Sequence, residues 1–173
     1  MKLKDEYSKT FLSINNEIEE GMFDTVGETL NFDCAIVDVY ISSNGGSAFE
    51  VDKIIHLLES NFETINIYGT GMLMSGAFKL FFKTKANERK LIGRATGMCH
   101  KATWEHLSSL GGDDDAFYEA KKAHLAQLNS DMEIWCREDL KLNKEELDTM
   151  FVKGKDQFFS HDRLLEIMKN MKK

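Results

Sequence analysis

The hydrophobic pattern of the N-terminal half alternates between the repeat of a strand and that of a helix. Residues 35–41 form a nearly continuous run of β-branched and apolar side chains, which is typical of a strand buried on both faces of a parallel sheet. The triplet Asn44-Gly45-Gly46 ends this run. In residues 48–58 apolar side chains recur every three or four positions, which predicts an amphipathic helix against the sheet.

The same alternation continues further along the chain. Residues 65–68 are predicted to form a second short strand that ends at Gly69-Thr70-Gly71, and residues 90–92 a third strand. Between them, residues 75–82 begin with small side chains and continue with apolar ones, as expected of a helix entering a core. The order strand, helix, strand, helix, strand predicts an α/β protein.

The pattern changes in the C-terminal part. Residues 113–140 combine many charged side chains with a thin apolar side, and they predict one long helix headed by acids. A helix of this kind often meets another subunit, so we expect an oligomer. Residues 144–173 predict a short helix, a loop at 153–155 and a closing helix from Arg163. The length of 173 residues suits a single domain, 1–173.

Composition and charge exclude several classes of protein. The net charge is −7, whereas nucleic-acid binders usually carry a basic surface. No run of about 18 uncharged apolar residues occurs, and the N-terminus lacks an apolar signal segment. The widely spaced cysteines Cys34, Cys99 and Cys136 suggest neither a disulfide framework nor a metal site. We therefore expect a cytoplasmic protein without membrane, nucleic-acid or metal partners.

Three segments carry the parts of an acyl-transfer site. Gly45-Gly46 allows backbone N–H groups to approach a ligand, Ser75 lies at a strand-to-helix junction, and His100 follows a possible strand. A nucleophile, a base and backbone donors for an oxyanion are what such chemistry needs. Taken singly, these residues also fit a plain turn, a helix N-cap and a structural histidine.

Two of these segments resemble the Clp protease proteolytic subunit. The run from Val39 to Ser47 reads Val-Tyr-Ile-Ser-Ser-Asn-Gly-Gly-Ser, which is similar to the family motif Tyr-Ile-Asn-Ser-Pro-Gly-Gly-Ser. Residues 71–78 resemble the segment that carries the family's nucleophile. Matching Gly-Ala-Phe would place Met74 at the nucleophile position, whereas matching the serine places Ser75 there. The second alignment also brings Met98-Cys99-His100 onto the family's Met-Ile-His without a gap.

The resemblance implies a fold and a set of roles. The fold would be crotonase-like and ClpP-type, with repeated ββα units and a protruding handle helix at about 113–140. Ser75 would be the nucleophile, His100 its base, and the N–H groups of Gly46 and Gly76 the oxyanion hole of a serine endopeptidase (a hydrolase). Homo-oligomeric heptameric rings would stack face to face as a tetradecamer and enclose the sites, where unfolded polypeptides are cut without a cofactor.

The third member of the triad has two candidates. Residues 145–149 resemble the segment with the family aspartate, and Asp148 is the first choice for the role. Residues 156–160 resemble the segment just beyond it, and Asp156 is the reserve. Either acid also fits a plain surface position.

The chain departs from the family pattern in several places. Asn44 replaces a proline of the oxyanion loop, and Lys101-Ala102 replaces the Gln-Pro that follows the family histidine. Only ten residues precede Phe11, which weakens the case for docking of a Clp ATPase through an N-terminal segment. Such divergence suggests a phage-type copy.

Three rival functions are left open by the sequence. The first is a catalytically silent ring subunit that assembles with an active partner. The second is a crotonase-type acyl-CoA enzyme, which shares the double-glycine architecture. The third is an enzyme of the signal-peptide peptidase A type, because residues 75–78 also resemble its Ser-Gly-Gly-Tyr, although that family uses a lysine base and a membrane anchor.

Overall fold

The structure, a computed structural model, describes residues 5–103 and 115–171. These residues form five strands and six α-helices, with one π-helical turn after the fifth helix. The strands are β1 (Asp5–Ile14), β2 (Cys34–Ser43), β3 (Thr64–Met74), β4 (Glu88–Cys99) and β5 (Gln157–Phe159). The helices are α1 (Met22–Thr29), α2 (Ala48–Asn61), α3 (Gly76–Lys83), α4 (Asp115–Glu138), α5 (Lys144–Leu147) and α6 (His161–Met171), and the π-helical turn is Asp148–Val152.

The strands form one sheet in the order of the sequence, β1-β2-β3-β4-β5. The first four strands pair in parallel, and a helix connects each of them to the next. Parallel neighbours need such crossover connections. The predicted α/β class is therefore confirmed.

The described residues divide into two compact units. The first comprises the residues up to Met98 together with Phe158–Met168, and it contains the sheet with α1, α2 and α3. The second comprises Cys99–Gln157 with the residues from Lys169 onward, and it contains α4, α5 and the π-helical turn.

Strand β2 is fully buried on one face and, apart from Tyr40, buried or half-buried on the other. Val37, Val39 and Ile41 are fully buried, whereas the side chain of Tyr40 is 37% exposed. On the face of Tyr40, the Asp38 carboxylate accepts a hydrogen bond of 2.6 Å from the Asn66 amide. The alternation of side chains along a strand separates these two sets.

Strand β3 extends beyond its predicted end at Gly69-Thr70-Gly71. The strand continues to Met74, and the pairing with β4 shifts register between Gly69 and Gly71. Gly71 has a φ of +58°, a conformation that glycine adopts without a steric cost. The glycines therefore produce an irregularity in the ladder rather than its end, and the strand reaches Ser75 directly.

Helix α3 is the most deeply buried helix of the first unit. All of its residues from Gly76 to Phe82 except Lys79 are buried. The Phe78 ring stacks on Phe159 of β5, with 5.2 Å between the ring centroids. This packing fixes the helix that begins directly after Ser75.

The Arg89 side chain caps the other end of α3. Its guanidinium donates hydrogen bonds to the carbonyl oxygens of Phe81, Phe82 and Thr84 at 2.7, 3.2 and 2.5 Å. Burial lowers the pKa of Arg89 to about 10, so the group keeps its charge at neutral pH. A cation at a helix C-terminus also interacts favourably with the helix dipole.

We expect Arg89→Met to lower the free energy of unfolding by about 2 kcal/mol, because three buried carbonyls lose a charged donor. Urea denaturation at fixed protein concentration measures this change. Arg89→Lys retains the charge but not the fork of donors, so its loss should be intermediate. Equal stability of the Met variant and the wild type would contradict the capping role.

The Glu50 carboxylate links α1 to α2. It accepts a hydrogen bond of 2.8 Å from the Phe23 N–H and one of 2.7 Å from the Lys53 ammonium. Burial alone would raise the pKa of Glu50, but these bonds outweigh burial and lower it.

A carboxyl whose folded pKa is lowered stabilises the protein above its unfolded pKa, and the effect is lost as the pH falls through the folded value. We therefore expect Glu50→Gln to destabilise the protein by about 1 kcal/mol near neutral pH and by less at about pH 3. Unfolding free energies of both proteins across this range measure the difference. A penalty that stays constant with pH would contradict the assignment.

The second unit is built on α4, and over the described residues the predicted long helix is confirmed. The helix runs from Asp115 to Glu138, while residues 113 and 114 lie outside the described residues. Leu125, Trp135 and Cys136 are buried along one side, and most other described positions are exposed. Among the described residues, no helix is both long and apolar enough to span a membrane.

Candidate active site

Ser75 occupies the junction between β3 and α3 in an unusual backbone conformation. Its φ is 51° and its ψ is −116°, in the half of φ space that residues with a Cβ rarely adopt. Such a conformation costs about 1–3 kcal/mol and persists only when the surroundings enforce it. The Ser75 side chain makes no capping hydrogen bond to α3. Helix capping therefore does not explain why a serine lies at this position.

Backbone contacts on both sides hold the turn at Ser75. Its N–H donates a hydrogen bond of 2.8 Å to the Met98 carbonyl oxygen near the end of β4, and its own carbonyl accepts one of 3.1 Å from Lys79. The half-buried Ser75 thus lies on a sharp strand-to-helix turn. Nucleophilic serines of α/β hydrolases are presented on turns of this type.

Gly45 packs directly against the same turn. A Cβ at Gly45 would lie 2.6 Å from the Gly76 nitrogen and 2.8 Å from the Ser75 Cβ, and it would overlap the Met74 carbonyl oxygen. Gly45 also has a φ of +90°. Only glycine satisfies both the space and the backbone conformation here.

The loop that carries Gly45 is itself fixed by the segment after β1. The Gly45 carbonyl accepts a hydrogen bond from the Ile18 N–H, and the Ile18 carbonyl accepts one from the Ser47 N–H, both at 2.7 Å. The Ser43 hydroxyl donates to the Asn16 carbonyl and accepts from the Gly45 N–H. These bonds hold the loop although Asn44 stands where the family motif has a proline.

Gly46 and Gly76 bring two backbone donors together beside Ser75. A Cβ on Gly76 would lie 3.3 Å from the Gly46 nitrogen, so the two backbones adjoin closely. The Gly76 N–H is the first of a helix, where negative charge is favoured. Two such donors could stabilise an oxyanion.

His100, the candidate general base, belongs to the second compact unit. Its ring is half-buried, and its Nδ1 lies 2.8 Å from the carbonyl oxygen of Lys101. Because a carbonyl oxygen only accepts hydrogen bonds, the neutral imidazole carries its proton on Nδ1 in this arrangement. Its Nε2 is then a proton acceptor, as a general base requires.

Neither predicted aspartate is brought into a hydrogen bond with His100. Asp148 is half-buried where α5 passes into the π-helical turn, and Asp156 is exposed in the loop before β5. The described contacts of the two residues include no bond from their carboxylates to the imidazole. The assignment of the third triad position to Asp148, with Asp156 in reserve, stays a prediction.

One polar residue of this region was missed by the sequence reasoning. The Asn129 side chain on α4 makes two hydrogen bonds to the backbone of Ala102, at 2.7 and 3.1 Å. Asn129 lies one turn after the buried Leu125 and therefore on the apolar side of α4. A polar residue at such a position is the sequence feature that could have indicated its role.

The described part of the chain holds no group of three His, Cys, Asp or Glu side chains arranged to bind a metal. The three cysteines are free and buried.

Comparison with solved structures identifies the fold. A mutant of ClpP1 from Listeria monocytogenes is similar over 91% of this chain and 86% of its own, with a TM-score of 0.69 and 16% sequence identity. The expected ClpP-like fold is thereby confirmed. No model of a known protein family matches the chain, and no curated protein sequence matches it.

We expect Gly45→Ala to abolish the reactivity of Ser75, because the new Cβ would displace the Ser75 turn. Gly27→Ala is the matched control, since its Cβ would meet no atom within 4 Å and alanine is favoured over glycine in a helix. Labelling of Ser75 by a serine-directed fluorophosphonate, followed by intact mass, measures the effect. Full labelling of a folded Gly45→Ala protein would contradict this account of the turn.

Proposed function

We propose that this chain is a serine endopeptidase subunit of the Clp type, with Ser75 as nucleophile and His100 as general base. The observation that carries the proposal is the strained turn at Ser75 beside the adjoining N–H groups of Gly46 and Gly76. A strained residue, a helix N-terminus and two adjoining backbone donors at one place are the parts that acyl transfer needs. The ClpP-like fold agrees with this assignment.

In the proposed reaction, the Ser75 hydroxyl oxygen attacks the carbonyl carbon of a peptide bond while its proton passes to Nε2 of His100. The N–H groups of Gly46 and Gly76 hold the negative oxygen that forms. The tetrahedral species collapses, and the imidazolium donates its proton to the departing amine. Water then repeats the sequence on the acyl-enzyme and regenerates Ser75.

The proposed substrates are unfolded polypeptides or peptides, cut within a closed chamber of stacked homo-oligomeric rings. A thin apolar side on α4, with Ile134 45% exposed, supports a contact between subunits. The free buried cysteines agree with a reducing cytoplasm. The chemistry proposed here uses neither a metal nor an organic cofactor.

The alternative is a silent ring subunit, and one experiment separates the two. We expect a fluorophosphonate probe to add to the purified protein once, on Ser75, as measured by intact mass and peptide mapping. Ser75→Ala should abolish labelling, and His100→Ala should slow it by about 10²-fold or more, because the base is lost.

Ser130→Ala removes an exposed serine of α4 and is the matched control, which should label like the wild type. Circular dichroism and size-exclusion chromatography establish that each variant is folded and assembled. A folded, oligomeric wild-type protein that does not react would contradict the peptidase proposal and favour the silent subunit.

A further inference from the structure

The peptide unit between Lys101 and Ala102 lies between His100 and the long helix α4. On one side, its carbonyl oxygen lies 2.8 Å from Nδ1 of His100. On the other side, its N–H donates a hydrogen bond of 2.7 Å to Oδ1 of Asn129. A continuous chain of hydrogen bonds therefore runs from Asn129 through one peptide bond to the imidazole.

The second hydrogen bond of Asn129 fixes the orientation of its amide. Its Nδ2 donates to the carbonyl oxygen of Ala102 at 3.1 Å, so the donor and the acceptor of the side chain cannot exchange places without losing both bonds. Hydrogen bonds in a chain polarise one another. A bond at the Ala102 N–H therefore makes the Lys101 carbonyl a better acceptor for the imidazole N–H.

A further contact holds the residue before His100 to the same helix. The thiol of Cys99 neighbours that of Cys136, and this neighbour, together with burial, raises the pKa of Cys99. Asn129 and Cys136 lie about two turns apart on one side of α4. The helix thus holds the chain immediately before and immediately after His100.

This arrangement depends on a departure from the sequence pattern of the family. At positions 101 and 102 the resemblance leads one to expect Gln-Pro, and a proline has no N–H to donate. Ala102 provides that donor. We call the two hydrogen bonds between Asn129 and the backbone of Ala102 the Asn129 lock. It is a property of this chain's own residues, because one of the two bonds needs the N–H of Ala102.

We propose that Asn129 is a positioning residue for His100, and that the Lys101-Ala102 peptide performs the orienting role that the sequence assigned to Asp148. The peptide carbonyl holds the imidazole with its proton on Nδ1 and presents Nε2 to accept the proton of the nucleophile. When the imidazolium forms, the same carbonyl accepts from its charged N–H. This inference rests on the proposed function of His100 and deepens it.

The test compares two substitutions at one position. Asn129→Leu keeps a similar volume but removes both hydrogen bonds, whereas Asn129→Asp keeps an acceptor for the Ala102 N–H. Relative to wild type, we expect the Leu variant to label Ser75 about 10²-fold more slowly, because the base loses its orientation. The Asp variant keeps the acceptor but loses the donor to the Ala102 carbonyl, so it should recover part of that rate. Ser130→Ala, the next residue on α4, is the matched control.

A second readout does not depend on Ser75. In protein with ¹⁵N-labelled histidine, the ring nitrogen shifts of neutral His100, assigned with His100→Ala, report which nitrogen carries the proton. We expect the Nδ1–H form in wild type and in Asn129→Asp, and a shift toward the Nε2–H form in Asn129→Leu. Asp148→Asn should change neither the tautomer nor the labelling rate.

The outcomes separate the two proposals. If wild-type Ser75 does not react but His100 shows the Nδ1–H form that Asn129→Leu disturbs, the peptidase proposal fails and the lock stands. If Asn129→Leu, folded and assembled, leaves the tautomer and the rate unchanged, the lock is wrong. A loss of the Nδ1–H form in Asp148→Asn would assign the orienting role to that carboxylate.

Discussion

The contact between Gly45 and the turn at Ser75 is the constraint on which the candidate site depends. Ser75 adopts a positive φ, and an isolated chain would relax such a residue to a conformation that is lower in free energy by about 1–3 kcal/mol. The loop can reach the turn because Gly45 has no Cβ, whereas the absence of a Cβ on Gly46 leaves room for the Ile18 backbone. Close approach of two backbones therefore both enforces the strain and brings the two N–H groups together.

The surrounding fold holds both partners of this contact in place. On one side, the Ile18 segment fixes the glycine loop through two backbone hydrogen bonds. On the other side, α3 is buried along its length and is capped at its C-terminal end by Arg89. A rigid helix with a fixed start can present its first N–H groups in one direction, as electrostatic stabilisation requires. Stability and the proposed chemistry thus depend on the same packing.

The sequence predicted the elements better than it predicted their contacts. Periodicity identified β2 and α2 because a buried strand and an amphipathic helix have distinct repeats. The sequence analysis placed the end of β3 too early, because closely spaced glycines usually mark a turn. In the structure, Gly69 and Gly71 produce a register shift in the pairing with β4, and the strand continues. Asp38 and Tyr40 alternate with the fully buried apolar side chains of β2; Asp38 is buried as well, and Tyr40 is the exposed position of that face.

The candidate site was located by resemblance rather than by physical derivation. The positive φ of Ser75 follows from the tertiary contact with Gly45, and no local pattern contains that information. The same holds for Asn129, whose partner Ala102 is distant in sequence. Asp148 was chosen from the neighbourhood of a family motif, and its role as the third member of the triad stays a prediction.

A crystal structure of the protein after reaction with a fluorophosphonate would show both the nucleophile and the position of the oxyanion. We expect a covalent bond from the Ser75 oxygen to phosphorus, with the phosphoryl oxygen about 2.7–3.1 Å from the nitrogens of both Gly46 and Gly76. An adduct on another residue, or a phosphoryl oxygen directed away from these two N–H groups, would contradict it.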